Sequence, residues 1–417
     1  MNIPDNVMEF SNLSSLKTVK LDNSSFAILK LPMWKQKLSI TTNATSVAST
    51  ANYDYHQVIT KSLSILNISG KAGTELRLKD IPALESLNVS GIETLVLDNC
   101  PNLTNVILDS SIKRLTVINC ATNINVESLS IYTNNSENQV IDLSQCPKLE
   151  YLNMRGSRKF KKVIVGSDIH LPESAFRECT ELEYIDTVNN NVVYLDGNAV
   201  FYYCLNFKLK QSNGNQLKLY ANTANLNSMF TCNGSIEYNE ANYFFTFNSD
   251  HATLFTSMDD IFRGHSKIGL GINNTNKKFT DLNKYTSLIS ANYAFQGCNI
   301  NYWSKDLYDF GANGIALNGV FWCNQITAEL DFLANMANKI SKYNDCNNNG
   351  SACTYTFVTT SGASVSDVIL KNIINLPNAT YLSGFNNIEC SSVDLTDCFT
   401  NARSLVTIYR FMGGCSK

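Results

Sequence analysis

Charge is scarce in this sequence. Asp, Glu, Lys and Arg make up 17% of its residues and the net charge is -3. The basic residues are dispersed, so they form no electrostatic footprint for a nucleic acid. No apolar run approaches the roughly 20 residues a helix needs to span a bilayer. The opening residues, MNIPDNVMEF, lack the basic start and apolar stretch of a secretory signal, so an export signal is expected to be absent or already removed. The C-x-x-C and H-x-x-x-H spacings of zinc sites are missing. GLGI at Gly269 is followed by no Gly-Lys-Ser/Thr, so it is not a phosphate loop. No cofactor, metal, nucleic-acid partner or membrane insertion is therefore expected. Nothing along the 417 residues resembles a linker between globular domains, which points to one elongated array.

Polarity comes instead from Asn, Ser and Thr, as in Asn189-Asn190-Asn191 and Asn347-Asn348-Asn349. Such a surface is hydrophilic without a strong field, as on exported or virion surfaces, and AT-rich coding produces the same bias. The Asn-x-Ser/Thr triplets, such as Asn67-Ile68-Ser69 and Asn88-Val89-Ser90, follow from that composition and do not argue for glycosylation.

Hydrophobic residues are 44% of the chain, in short, evenly spaced groups, so burial must come from many thin layers. From Leu76 to Val165 apolar-x-apolar triplets recur: Leu76-Arg77-Leu78, Leu87-Asn88-Val89, Leu95-Val96-Leu97, Val106-Ile107-Leu108, Leu115-Thr116-Val117, Leu129-Ser130-Ile131, Ile141-Asp142-Leu143, Leu152-Asn153-Met154 and Val163-Ile164-Val165. Their intervals alternate, so the repeating unit is about twenty residues with two strand-like segments and no room for a three-turn helix. In each triplet the outer residues face inward and the middle one outward.

LVLDNCPNLTNVIL, Leu95 to Leu108, recurs as IDLSQCPKLEYLNM, Ile141 to Met154, and an earlier copy carries Leu13, Leu16, Val19 and Leu21. Residues 1–165 thereby resemble the short leucine-rich repeats of Bacteroidetes-type surface proteins, with Thr41 to Lys61 as an inserted loop. The resemblance implies a repeat solenoid of short parallel β-strands. From Ser174 a longer unit appears, marked by Phe, two free positions and Cys: AFREC at Ala175, VFYYC at Val200 and AFQGC at Ala294, with altered forms MFTC at Met229, IFRGH at Ile261 and VFWC at Val320. Residues 166–417 thus resemble BspA-like leucine-rich repeats, which implies a short helical turn carrying each Phe and a strand after each Cys. Spacings beyond the family's usual length predict larger loops over 205–300. A final copy, Phe411 to Cys415, stops two residues later, and solenoid ends need caps. The chain is expected to be a piece of a longer protein or to be capped by a partner.

The thirteen cysteines raise the question of disulfides. Cys100, Cys120, Cys146, Cys179, Cys204, Cys298 and Cys323 share one repeat position, where a small side chain packs inward. Neighbouring rungs still bring such positions to roughly the 5 Å Cα separation of a disulfide. Cys346 and Cys353, flanking an Asn/Gly/Ser loop, are the best candidates for a bridge. His56, His170, His251 and His265 are scattered, and His265 stands where other copies have Cys. Asp259-Asp260 is the only adjacent acidic pair, and its place before Ile261-Phe262 suits the start of a helical turn rather than glycoside hydrolysis.

These features predict a non-catalytic binding or adhesion protein recognising a protein or glycan at a cell surface. A phage tail or fibre component contacting neighbouring virion proteins is the alternative, and a polysaccharide-active enzyme a third reading that would need a carboxylate pair on adjacent rungs. Aromatic residues at free repeat positions, Tyr202, Tyr203 and Trp322, together with Tyr243, Trp303 and Tyr308, are the candidate binding patch, unless long loops cover them, because exposed Tyr and Trp anchor interfaces.

Overall fold

The computed structural model describes all residues except 1–6, 10–17, 22–27, 31–37, 43–45, 49–64, 70–74, 80–83, 104, 110, 119, 121–139, 145, 147, 158–159, 232–233, 235, 322–324, 345–353, 366, 370–375, 386–387 and 412–417; for the strands before Glu75 it describes the backbone alone. Contacts divide the chain into two compact units. Unit 1 comprises Met1–Asp196 and Cys204–Lys218, and unit 2 comprises Gly197–Tyr203 and Leu219–Lys417. The change of repeat type at residue 165 falls inside unit 1. Both units are built mainly from short parallel strands, with little helix.

In unit 1, alternate apolar triplets go to different sheets: Val140–Leu143, Lys162–Val165 and Tyr184–Thr187 form a three-stranded parallel sheet, and two larger sheets take the others. One parallel sheet is ordered Thr18–Leu21, Leu38–Thr42, Ile65–Ser69, Ser86–Ser90, Asn105–Ile107. The other carries Ser46–Ala48, Glu75–Lys79, Thr94–Asp98, Arg114–Ile118, Tyr151–Asn153, Ile169–Leu171 and Val193–Leu195. Its register aligns Leu76, Leu95, Leu115 and Leu152, all buried. Each rung therefore stacks its leucines on those of the rung before, and the residues between them alternate outward as the two-residue strand period requires. The Thr41–Lys61 segment is not simply an inserted loop. Thr41 pairs with Ser69, and Val47 with Leu76, so both ladders already run through it; its remainder, like the Leu129–Ile131 triplet, lies outside the described residues.

In unit 2 the Phe-bearing copies stack on one another. Ring centroids of Phe201, Phe230, Phe262, Phe295 and Phe321 follow at 5.7, 5.1, 5.9 and 5.0 Å, with interplanar angles of 10, 14, 21 and 13°. Backbone bonds hold the same spacing, since Phe201, Phe230, Phe262 and Phe295 each donate N–H to the next copy, at 2.9, 2.9, 2.8 and 2.7 Å. The expected helical turns are instead tight turns. Two residues before each Phe, Ala199, Ser228, Asp260 and Tyr293 adopt φ of 53–57°, and a left-handed residue breaks a right-handed helix. Asp260 therefore opens such a turn rather than a helix.

A ladder of polar side chains runs beside the rings. Asn227 Oδ1 accepts from Asp259 N–H at 2.8 Å, Asp259 Oδ1 from Asn292 N–H at 2.6 Å, and Asn292 Oδ1 from Asn318 N–H at 3.2 Å. Each side chain satisfies a backbone donor of the next copy, and Asp259 and Asn292 lie outside any strand that could do so. Within the 205–300 stretch expected as loops lies the helix Tyr238–Phe247, whose Ala241, Phe244 and Phe245 are buried. It ends at Asn248, fully buried, whose amide donates to Leu219 O and Phe244 O, each at 2.9 Å, and accepts from Ala221 N–H at 2.8 Å. Burial is affordable for this amide because its hydrogen-bonding capacity is so well used.

Candidate binding site

Two members of the aromatic patch expected from the sequence belong to the interior instead. Trp303 is fully buried and Tyr308 is 2% exposed. The Trp303 indole N–H donates to Ile300 O at 3.1 Å, and its ring packs on Tyr308, Phe321, Phe332 and Tyr355. Tyr243 is half-buried and stacks on Phe247 at 5.8 Å; burial raises its phenol above the ordinary tyrosine range. Tyr203 is 48% exposed and Tyr202 half-buried, with rings 4.8 Å apart. Trp322, Cys323, Cys346 and Cys353 lie outside the described residues.

A different outward row crosses unit 1. Strand register places Thr94, Arg114, Tyr151, His170 and Tyr194 side by side. The Arg114 guanidinium lies 4.0 Å over the Tyr151 ring, a cation–π contact. His170 stacks on Tyr194 with centroids 4.7 Å apart and planes 11° from parallel. Nδ1 of His170 is 2.8 Å from Asp196 Oδ2, so it carries the proton and, in the neutral ring, Nε2 is the acceptor. Because these ring faces are stacked on one another, the row offers a ligand ring edges, hydroxyl groups and the imidazole.

At the foot of this row is an open cleft of about 580 Å³, lined by Lys113, Lys148, Leu149, Glu150, Gly166, Ser167, Asp168 and Asn191. Lys113, Glu150 and Asp168 each immediately precede a strand of the row, so the ladder positions them a rung apart. Glu150 N–H donates to Lys113 O at 2.9 Å and His170 N–H to Glu150 O at 2.8 Å. Asp168 Oδ1 accepts from Val192 N–H at 2.7 Å, and the Lys113 ammonium sits 3.1 Å from Glu93. Gly166 is obligatory here, since a Cβ would lie 2.1 Å from Ser144 O. The lining is mostly polar, and hydrogen-bonded backbone holds it.

The triplets up to Val165 do not reveal this row. Ile169-His170-Leu171 and Val193-Tyr194-Leu195 are apolar-x-apolar triplets like those before Val165, and extending the pattern past that residue would have placed His170 and Tyr194 outward.

The acidic pair and His265 singled out in the sequence have structural partners. Asp259 carries ladder bonds and also accepts from Ser290 Oγ at 2.6 Å. Burial raises the Asp260 carboxyl above the ordinary range, although Arg263, 3.0 Å away, opposes it. His265, fully buried, substitutes for the repeat cysteine. Its Nε2 donates to Phe230 O at 2.5 Å, as Cys298 Sγ donates to Phe262 O at 3.0 Å and Cys204 Sγ to Phe176 O at 2.9 Å. Its Nδ1 accepts from Ile236 N–H at 3.2 Å. Glu329, 2% exposed, pairs with Lys277 and accepts from Tyr302 OH at 3.2 Å. Among the described residues, no group of three or more His, Cys, Asp or Glu side chains is arranged to hold a metal, and no helix is long and apolar enough to cross a membrane. No protein-family model and no curated protein matches this sequence.

Proposed function

We propose that this chain is a non-catalytic binding protein, a leucine-rich-repeat solenoid that recognises a glycan at a cell surface through the Arg114–Tyr194 row and the cleft at its foot. The observation that carries this reading is the cleft's lining: Lys113, Lys148, Glu150, Ser167, Asp168 and Asn191 converge with only one aliphatic side chain, Leu149. Protein hot spots centre on buried apolar anchors. Sugar hydroxyls instead need many fixed donors and acceptors, which the ladder supplies already ordered, so little entropy is lost on binding. A glycan array followed by calorimetry tests it. Tyr194→Ala combined with Asp168→Ala should weaken binding at least tenfold with a melting temperature close to the parent's. Loss of binding instead in Tyr202→Ser/Tyr203→Ser would move the site to unit 2. A chain that binds no glycan but captures a surface protein through the same row would refute the ligand class.

A second reading, a structural virion component whose array is an assembly contact, draws on Leu395, Val406, Ile408 and Tyr409, which are 51, 84, 48 and 51% exposed. Ile408 pairs in register with Leu382, which is buried. Concentration-dependent assembly in sedimentation, abolished by Val406→Asp, would favour it; a monomer at all concentrations would not.

A further inference from the structure

Cys100 and Cys120 hold one position in successive rungs of unit 1. Each stands two residues past a strand, and those strands, Thr94–Asp98 and Arg114–Ile118, pair in register from end to end. Asn99 N–H donates to Ile118 O at 2.9 Å, so the ladder continues one residue beyond the strands. Adjacent parallel strands lie about 4.8 Å apart, within the roughly 4.4–6.8 Å between Cα atoms that a disulfide spans. Both thiols turn inward, 0% and 1% exposed, and each also donates to the carbonyl at its own strand's end, Asp98 O at 3.7 Å and Ile118 O at 3.4 Å. Once Cys120 is ionised, the Cys100 thiol and N–H favour the thiolate by hydrogen bonding, which holds the Cys120 thiol below the ordinary cysteine range although burial and Asp98 act the other way. Cys146, at the same repeat position, is the contrast: burial, with Asp109 and Asp142, pushes its thiol up to about 12.

We propose that Cys100 and Cys120 are an oxidisable thiol pair, which closes into a disulfide across two rungs when a small peroxide reaches it. The Cys120 thiolate attacks one peroxide oxygen and breaks the O–O bond, giving a sulfenic acid, and the departing hydroxide takes up the thiol's proton as water. The Cys100 sulfur then attacks the Cys120 sulfur, the S–O bond breaks, and a second water leaves with the Cys100 proton. Two thiols and one hydrogen peroxide thus give one disulfide and two waters, with two electrons passing from sulfur to oxygen. The oxidant must be small because both sulfurs are buried; peroxide is close to water in size, whereas a glutathione disulfide would need the rung to open. The bond would clip together the two strands that carry Thr94 and Arg114, at the beginning of the outward row.

The test is hydrogen peroxide on the native full chain, followed by alkylation in denaturant and tryptic mapping. Cleavage after Lys79, Lys113, Arg114 and Lys148 puts Cys100 on one peptide and Cys120 with Cys146 on another. The expected product is a linked pair of these peptides, 2 Da lighter than their sum, whose fragmentation assigns the bond to Cys120. The link should persist in Cys146→Ala, disappear in Cys120→Ala and reverse with dithiothreitol, and oxidised wild type should melt higher than reduced. If peroxide leaves both thiols alkylatable, or carries Cys120 to sulfinic acid without a linked peptide, the pairing is overturned. A bond to Cys146 in the native wild type would overturn it equally. The wild-type map decides the matter even if Cys120→Ala fails to fold.

Discussion

Lowering the pH from 7.5 to 4 should destabilise unit 2 through one residue, His265, and the size of the effect follows from its surroundings. Burial pulls its imidazole down to about 4, against the hydrogen bond to Phe230 O, which favours the protonated ring. Only the neutral Nε2–H tautomer fits, because Nδ1 must accept from Ile236 N–H while Nε2 donates to Phe230 O. In the unfolded chain the same group titrates near 6.5. Above about pH 6.5 it is neutral in both states and contributes no pH dependence. Between 6.5 and 4 the unfolded state takes up a proton that the folded state refuses, so stability falls as pH falls, by about 3 kcal/mol in all. Below about 4 both states are protonated and this loss stops growing. His265→Cys is the informative variant, since a thiol at this position donates to the same carbonyl in neighbouring copies. It should be less stable at pH 7.5, having lost ring volume and the partner of Ile236 N–H. Its stability should nevertheless fall less between pH 6.5 and 4, because carboxylate titrations are common to both proteins and cancel in the difference. Urea denaturation at several pH values, followed by tryptophan fluorescence with Trp303 as the fully buried reporter, measures both curves. Parallel curves for wild type and variant would refute the argument, as would an NMR titration placing the His265 midpoint near 6.5.

Other perturbations separate packing from chemistry. Leu97→Ala and Leu143→Ala, at fully buried positions, should each cost about 2–5 kcal/mol in chemical denaturation; near-zero losses at both would show that the register is wrong. Gly166→Ala should cost about 3 kcal/mol, the upper end of overpacking effects, because its Cβ meets backbone rather than a movable side chain. Asp259→Asn keeps the oxygen that accepts from Asn292 N–H and should be nearly neutral in a melting assay, whereas Asp259→Ala should lose about 1–3 kcal/mol by leaving that donor unsatisfied. A bulky maleimide should label Cys100, Cys120 and Cys146 slowly in the folded protein and quickly in urea; fast native labelling would contradict their burial.

The alternating intervals of the apolar triplets already sent successive triplets of unit 1 to different parallel ladders, because strand period and rung length are local quantities that a sequence displays directly. The Phe-x-x-Cys spacing likewise announced a recurring inward Phe and Cys, and even marked His265 as the substitute. What these signals could not supply was conformation inside the copy. The left-handed residues at Ala199, Ser228, Asp260 and Tyr293 are four different amino acids, so no residue type betrays the turn they make. Exposure was equally hidden. Trp303 and Tyr202 look alike as aromatics among polar neighbours, yet one is core and the other lies partly at the surface, since that depends on how much interior the surrounding copies leave to be filled.

The Arg114–Tyr194 row shows the same division. Each of its residues was legible as outward or strand-flanking, but Arg114 and Tyr151 become neighbours only because the chain between them leaves this ladder and returns to it. Sequence alone determined which residues alternate inward and outward, a property of each strand. Which outward residues meet was decided by which strands pair, and the length of chain separating paired strands is something that periodicity does not count and only the paired backbone resolves.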